Sequence, residues 1–120
     1  MRKTMVEFED GTCLVETEDG IRWWLQDDRP HCPDGPAIER PNGDREWWVN
    51  GERHRPDGPA IEYANGDCEW WRTGKIHRLD GAATECANGD REWWINGVEY
   101  TEEEFEQELL VRKWGLSVDA

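Results

Sequence analysis

Three histidines, each followed three residues later by an aspartate, are the first residues of this chain that could do chemistry: His31 with Asp34, His54 with Asp57 and His77 with Asp80. An imidazole near a carboxylate can hold a metal or move a proton. The spacing argues against a shared metal. The histidines recur every 23 residues, and equivalent positions in successive β-hairpins lie two strands, or about 9.6 Å, apart, too far for two imidazoles to share one ion. The competing expectation, and the stronger one, is that histidine and aspartate bond loop backbone groups while Gly58 and Gly81 supply the turn conformation. Four cysteines, Cys13, Cys32, Cys68 and Cys86, occupy unequal repeat positions, Cys68 standing where Arg45 and Arg91 stand. They form no repeated metal or disulfide framework and read as free thiols of a reducing, cytoplasmic compartment. No nucleophile elbow, phosphate loop or zinc spacing is present, so neither catalysis nor a metal or cofactor is expected.

Tryptophan offers a different chemistry. Eight of the nine tryptophans stand in pairs, and Trp47-Trp48, Trp70-Trp71 and Trp93-Trp94 recur at the same 23-residue interval. Neighbouring strand residues point to opposite faces. The pleat therefore places Trp47, Trp70 and Trp93 on one side, with Ile38 and Ile61 as packed companions. Trp48, Trp71 and Trp94 fall on the other, flanked by Glu46, Glu69 and Glu92, which marks the wetter face. One reading has both ladders merely stacking along a small sheet. The other makes the wetter ladder a docking surface.

Turn geometry bears on that choice. If Asn42-Gly43, Asn65-Gly66 and Asn88-Gly89 are two-residue turns, Glu39 faces Glu46, Glu62 faces Glu69 and Glu85 faces Glu92. Like charges so placed are unfavourable, and beside tryptophan they suit a cationic partner. A three-residue bulged turn would shift the register and dissolve these pairs.

The elements that position these residues are short strands and turns. Asn50-Gly51 and Asn96-Gly97 between aromatic runs are strong hairpin signals, because both residues tolerate positive φ. Each unit reads as a strand such as EWWV, a polar loop through His54 to Asp57, and a second strand GPAIEYA. Upstream, Met5–Phe8, Thr12–Thr17 and Ile21–Gln26 read as strands joined by the Asp10-Gly11 and Asp19-Gly20 turns. Trp23 to Trp47 spans 24 residues, one too many, which places an extra residue near Asp27-Asp28 and makes the first unit a degenerate cap. After Tyr100, Thr101 and Glu104 form a capping box, Arg112 and Lys113 lie in the last turn, and Gly115 ends the run. Phe105 and Leu109, with Leu110 and Trp114, give that helix an apolar face to cover the last strand or one face of the sheet.

The expected fold is therefore mainly all-β, an antiparallel meander of stacked hairpins with one C-terminal α-helix. Residues 1–120 form a single repeat domain: 1–20 as N-terminal strands, 21–100 as repeats, 101–120 as helix cap and tail. No apolar run of the length of a membrane span or signal peptide is present. The net charge of -14 disfavours nucleic acid and anionic membrane as ligands. Segment by segment it runs -5 over 1–43, -2 over 44–66, -1 over 67–89 and -6 over 90–120. The ends carry the acid.

The unit resembles the MORN repeat, also of 23 residues. Trp48, Asn50, Gly51, His54, Tyr63 and Gly66 match its pattern, as do Trp71, Gly74, His77 and Gly89, then Trp94, Asn96 and Gly97. It departs after the histidine, where Arg-Pro-Asp-Gly-Pro-Ala (55–60) and Arg-Leu-Asp-Gly-Ala-Ala (78–83) stand, a form similar to a divergent subgroup of small phage and bacterial proteins. The resemblance implies an elongated, twisted sheet of hairpins that binds proteins or, in some members, contacts lipid, and it implies no catalytic residue.

Together these readings point to a non-catalytic protein-binding module, a small acidic phage-type inhibitor or adaptor docking on the basic surface of a host defence enzyme that handles nucleic acid. The candidate partner-binding residues are Trp48, Trp71, Trp94, Glu39, Glu46, Glu62, Glu69, Glu85 and Glu92, with Glu102, Glu103 and Glu106 of the helix. Homo-oligomerisation through a sheet edge or face and acidic mimicry of nucleic acid are the alternatives. The central units carry little net charge, which counts against mimicry.

Overall fold

The structure is a computed structural model that describes residues 3–115. The five residues after Gly115, part of the expected C-terminal cap and tail, and the first two lie outside the described residues. Fifteen short strands and one helix form an elongated body of 61 × 33 × 19 Å. Eleven strands make one antiparallel sheet in which neighbours follow chain order, and two further hairpins form separate two-stranded sheets. The fold is mainly β, a meander closed by a single C-terminal helix.

Two kinds of turn alternate along it. At the tips, Asn50-Gly51 joins Val49 to Glu52, with φ of 52° and 79°. Thr73-Gly74 and Asn96-Gly97 repeat this geometry. At the other end Gly43 donates to the Arg40 carbonyl, Arg40 donates to the Asp44 carbonyl, and Gly43 takes φ of 103°. That is the three-residue turn with a left-handed bulge glycine.

The bulge sets the register. Glu39 pairs with Arg45 and Glu62 with Cys68, while Ile38 pairs with Glu46 and Ile61 with Glu69. The facing pairs expected of Glu39 with Glu46, Glu62 with Glu69 and Glu85 with Glu92 are therefore absent. One extra turn residue moves each carboxylate to the other face. Instead Glu16, Arg22, Glu39, Arg45 and Glu62 stand in successive cross-strand pairs of alternating charge. The same register corrects the companions of the ladders: Ile38 and Ile61 share the face of Glu46, not that of Trp47.

The first unit is regular. Trp24, Trp47 and Trp70 each donate a backbone N–H to Ala37, Ala60 and Ala83, and each accepts at its carbonyl from His31, His54 and His77. Trp24 is thus the counterpart of Trp47 at the full 23-residue spacing, and the expected extra residue does not exist. Asp27-Asp28 occupies the tip-turn positions, with φ of 52° and 61°, and is flanked by the Gln26–Arg29 pair. The turn was hidden because it holds two aspartates where glycine is usual.

The expected continuous strand EWWV breaks at Trp47, between Arg45–Glu46 in the main sheet and Trp48–Val49 in its own hairpin. The second strand likewise shortens to Ile61–Glu62. The core is small. Ala37, Ala60 and Ala83 have no exposed surface, because both their amides and their carbonyls bond neighbouring strands at 2.7–2.8 Å. Val15, Ile38, Ile61, Ala82, Ile95 and Phe105 complete it among the described residues. The helix Glu102–Trp114 carries the expected capping box and ends at left-handed Gly115. It packs on Arg91–Ile95 and Val98–Tyr100, burying Phe105.

Among the described residues Thr73 is the one β-branched residue held at positive φ, 50°, a conformation that crowds its Cβ. Thr73→Asn is expected to stabilise the fold by about 0.5–1 kcal/mol, read as a higher midpoint in thermal unfolding.

Candidate functional site

The histidines are inter-repeat clamps. His31 Nδ1 accepts the backbone N–H of Asn50 at 2.9 Å, His54 Nδ1 that of Thr73 at 3.0 Å, and His77 Nδ1 that of Asn96 at 3.0 Å. The next amide of each tip, from Gly51, Gly74 or Gly97, donates to the carbonyl of Pro30, Arg53 or Ile76. A left-handed pair of tip residues aims both amides backward at the preceding unit. An accepting Nδ1 requires a neutral ring with its proton on Nε2. This leaves Nδ1 occupied and the three rings in separate units, and no cluster fit to hold a metal occurs among the described residues.

The arginine that follows His54 and His77 has a different task. Arg55 lies over the Trp47 ring with its guanidinium carbon 3.9 Å from the centroid, and Arg78 covers Trp70 at the same distance. Arg55 Nη1 donates to the Pro59 carbonyl and to Glu62, and Arg78 Nη1 to the Ala82 carbonyl and Glu85. Gly58 and Gly81 serve this packing. Neither has positive φ, so they do not supply a special turn conformation as expected. A Cβ on Gly58 would stand 2.8 Å from the Arg55 guanidinium carbon. Where the arginine is missing the ring finds other cover: Phe8 stacks on Trp24 with centroids 5.8 Å apart, and Trp93 lines a cleft with Phe105 and Leu109.

The second ladder is equally engaged. Trp48, Trp71 and Trp94 donate their indole N–H to Glu46, Glu69 and Glu92 at 2.9–3.2 Å. Arg53 is sandwiched between Trp48 and Trp71, 5.1 Å from each centroid. All eight paired tryptophans are half-buried, so no packed face and wet face can be told apart.

Most of the nominated carboxylates also have internal partners. Glu46 is buried against Arg40 and Arg53. Burial alone would push its carboxyl up, but hydrogen bonds from Arg40 and Trp48 and the charges of Arg40 and Arg53 outweigh that and hold it below the usual carboxylate range. Glu69 accepts from Tyr63, while Glu62 and Glu85 pair with Arg55 and Arg78. Glu39 sits half-buried between Arg22 and Arg45 in the cross-strand row. Glu102, Glu103 and Glu106 differ: they are exposed and make no side-chain bond among the described residues.

The structure therefore brings the ladder and its glutamates together as one network and leaves the helix acids apart from it. Sequence reasoning passed over the tip cations Arg72 and Lys75. It set Leu110 and Trp114 on the apolar face of the helix that covers the sheet, but both are exposed and only Phe105 of that face is buried. Comparison with known protein families, with curated proteins and with solved structures finds no match for this chain.

Two outcomes test this assignment. Glu46→Ala strands two arginines on a buried face and is expected to cost about 3 kcal/mol, the low end for a broken buried pair because Arg40 and Arg53 keep some solvent, whereas Glu106→Ala changes stability by less than about 0.5 kcal/mol; urea unfolding measures both. Burial, with the charges of Arg72 and Arg112, holds His77 below its usual pKa. Its clamp is then complete above the unfolded imidazole value and weakens as pH falls below about 6.5 toward the folded one. Thermal midpoints should drop across that window, and the slope should shrink in His77→Gln.

Proposed function

We propose that the chain is a non-catalytic, MORN-like protein-binding module that docks on a basic protein surface through the outer face of its C-terminal helix. The supporting observation is one exposed stripe. Glu103, Glu106, Leu110 and Trp114 follow helical spacing, and Leu110 and Trp114 are 50% and 63% exposed. The helix is held from the opposite side by buried Phe105. Unpaired carboxylates followed by an aromatic anchor are the parts of a hot spot for a cationic partner.

The repeats then act as the frame that presents this helix, because their own carboxylates and rings are satisfied internally. A basic surface of this kind is typical of nucleic-acid enzymes, so the role we favour is a small phage-type inhibitor or adaptor acting in the host cytoplasm on a defence enzyme. Mimicry of nucleic acid has less support, since the sheet acids stand opposite arginines.

Affinity capture from a bacterial lysate at low salt is expected to retain a nucleic-acid-handling enzyme and to release it at high salt. Glu106→Lys with Trp114→Ala should lose that capture with an unchanged thermal midpoint. Capture that survives both substitutions would reject the helix as the docking face.

A further inference from the structure

The third unit departs from the others at its tip. Arg72 stands directly opposite Lys75 across the Thr73-Gly74 turn. The other units place Gln26 against Arg29, Val49 against Glu52 and Ile95 against Val98 at this position. Like charges directly opposite are unfavourable. Both cations are exposed, and neither makes an ion pair or hydrogen bond among the described residues. In a chain of net charge -14, two unpartnered cations facing each other need a reason.

The surrounding surface supplies one. Arg72 also lines the cleft between the second and third histidine loops, where Arg55, Arg72 and Arg78 stand against Asp80 beside Trp70 and Leu79. The equivalent cleft one unit earlier sets Arg55 against both Asp34 and Asp57. The repeat thus contains its own control, since Arg72 adds to this cleft a cation that the earlier one lacks. Arg55 and Arg78 are fixed on their tryptophans and paired with Asp57 and Glu62 and with Asp80 and Glu85, so the charge open to a ligand is that of Arg72 and Lys75. Arg72 and Lys75 are free to reach.

We propose that this tip and cleft recognise an acidic peptide of a partner protein, with Arg72 and Lys75 taking its carboxylates and an apolar side chain resting against Trp70 and Leu79. The site is independent of the helix face and opposite in charge. Carboxylates bound between the two cations would also relieve their mutual repulsion, so ligand and strain relief coincide.

The test uses a capped, fluorescein-labelled peptide of alternating glutamate and leucine, followed by anisotropy on the full chain. Saturable binding that weakens with salt is expected. Arg72→Gln with Lys75→Gln should weaken it at least tenfold while the thermal midpoint stays level or rises, because the repulsive pair is gone. Equal binding by the double variant would overturn the proposal. So would sedimentation showing concentration-dependent association that the double variant abolishes, since the cleft would then belong to a second copy of the chain.

Discussion

The second, third and fourth units of this protein are each joined to the one before by two backbone amides at a hairpin tip, and only left-handed residues can aim both amides backward. That constraint explains much of the repeat. It places Asn-Gly or Thr-Gly at the joining tips, it requires a neutral imidazole as acceptor in the preceding unit, and it fixes the spacing from histidine to tip at each junction. A longer or shorter tip would point its amides elsewhere and leave buried acceptors without donors.

Around the clamp, the recurring groups of the unit find partners within the array. The arginine after the histidine covers a tryptophan and ties down its own loop, the following glycine makes room for that guanidinium, and the next alanine lets two strands approach closely. A thin body 19 Å across has little depth for a hydrophobic core. Stacked rings, guanidinium groups and carboxylates take over much of the work that buried aliphatic side chains do in a thicker domain. The positions that break the pattern are the tip of the third unit and the outer face of the closing helix, where the proposed contacts lie.

Much of the frame was legible in the sequence. Turn residues and the 23-residue period gave the hairpins, and Thr101, Glu104 and Gly115 gave the helix and both its ends. The candidate site was less legible. Trp48, Trp71 and Trp94 stand out as a ladder, yet a sequence does not say whether an indole N–H already has an acceptor. Glu46, Glu62 and Glu85 read as a negative stripe because their partners, Arg40, Arg53, Arg55 and Arg78, lie six or seven residues away along the chain. The Asp27-Asp28 tip escaped notice because its residue types mark a turn without naming which one.

By itself the sequence determined what depends on local chemistry: the period, the positive-φ turns, the helix caps and the sign of charge at each end. Tertiary structure decided what depends on register. One additional residue in the turn at Gly43 sends Glu39 to one face and Glu46 to the other, turning an expected like-charge ladder into alternating pairs. The same pairing across Thr73-Gly74 brings Arg72 and Lys75 together. The physical reason is the two-residue pleat: a shift of one position reverses the face of every side chain, and composition carries no record of that shift.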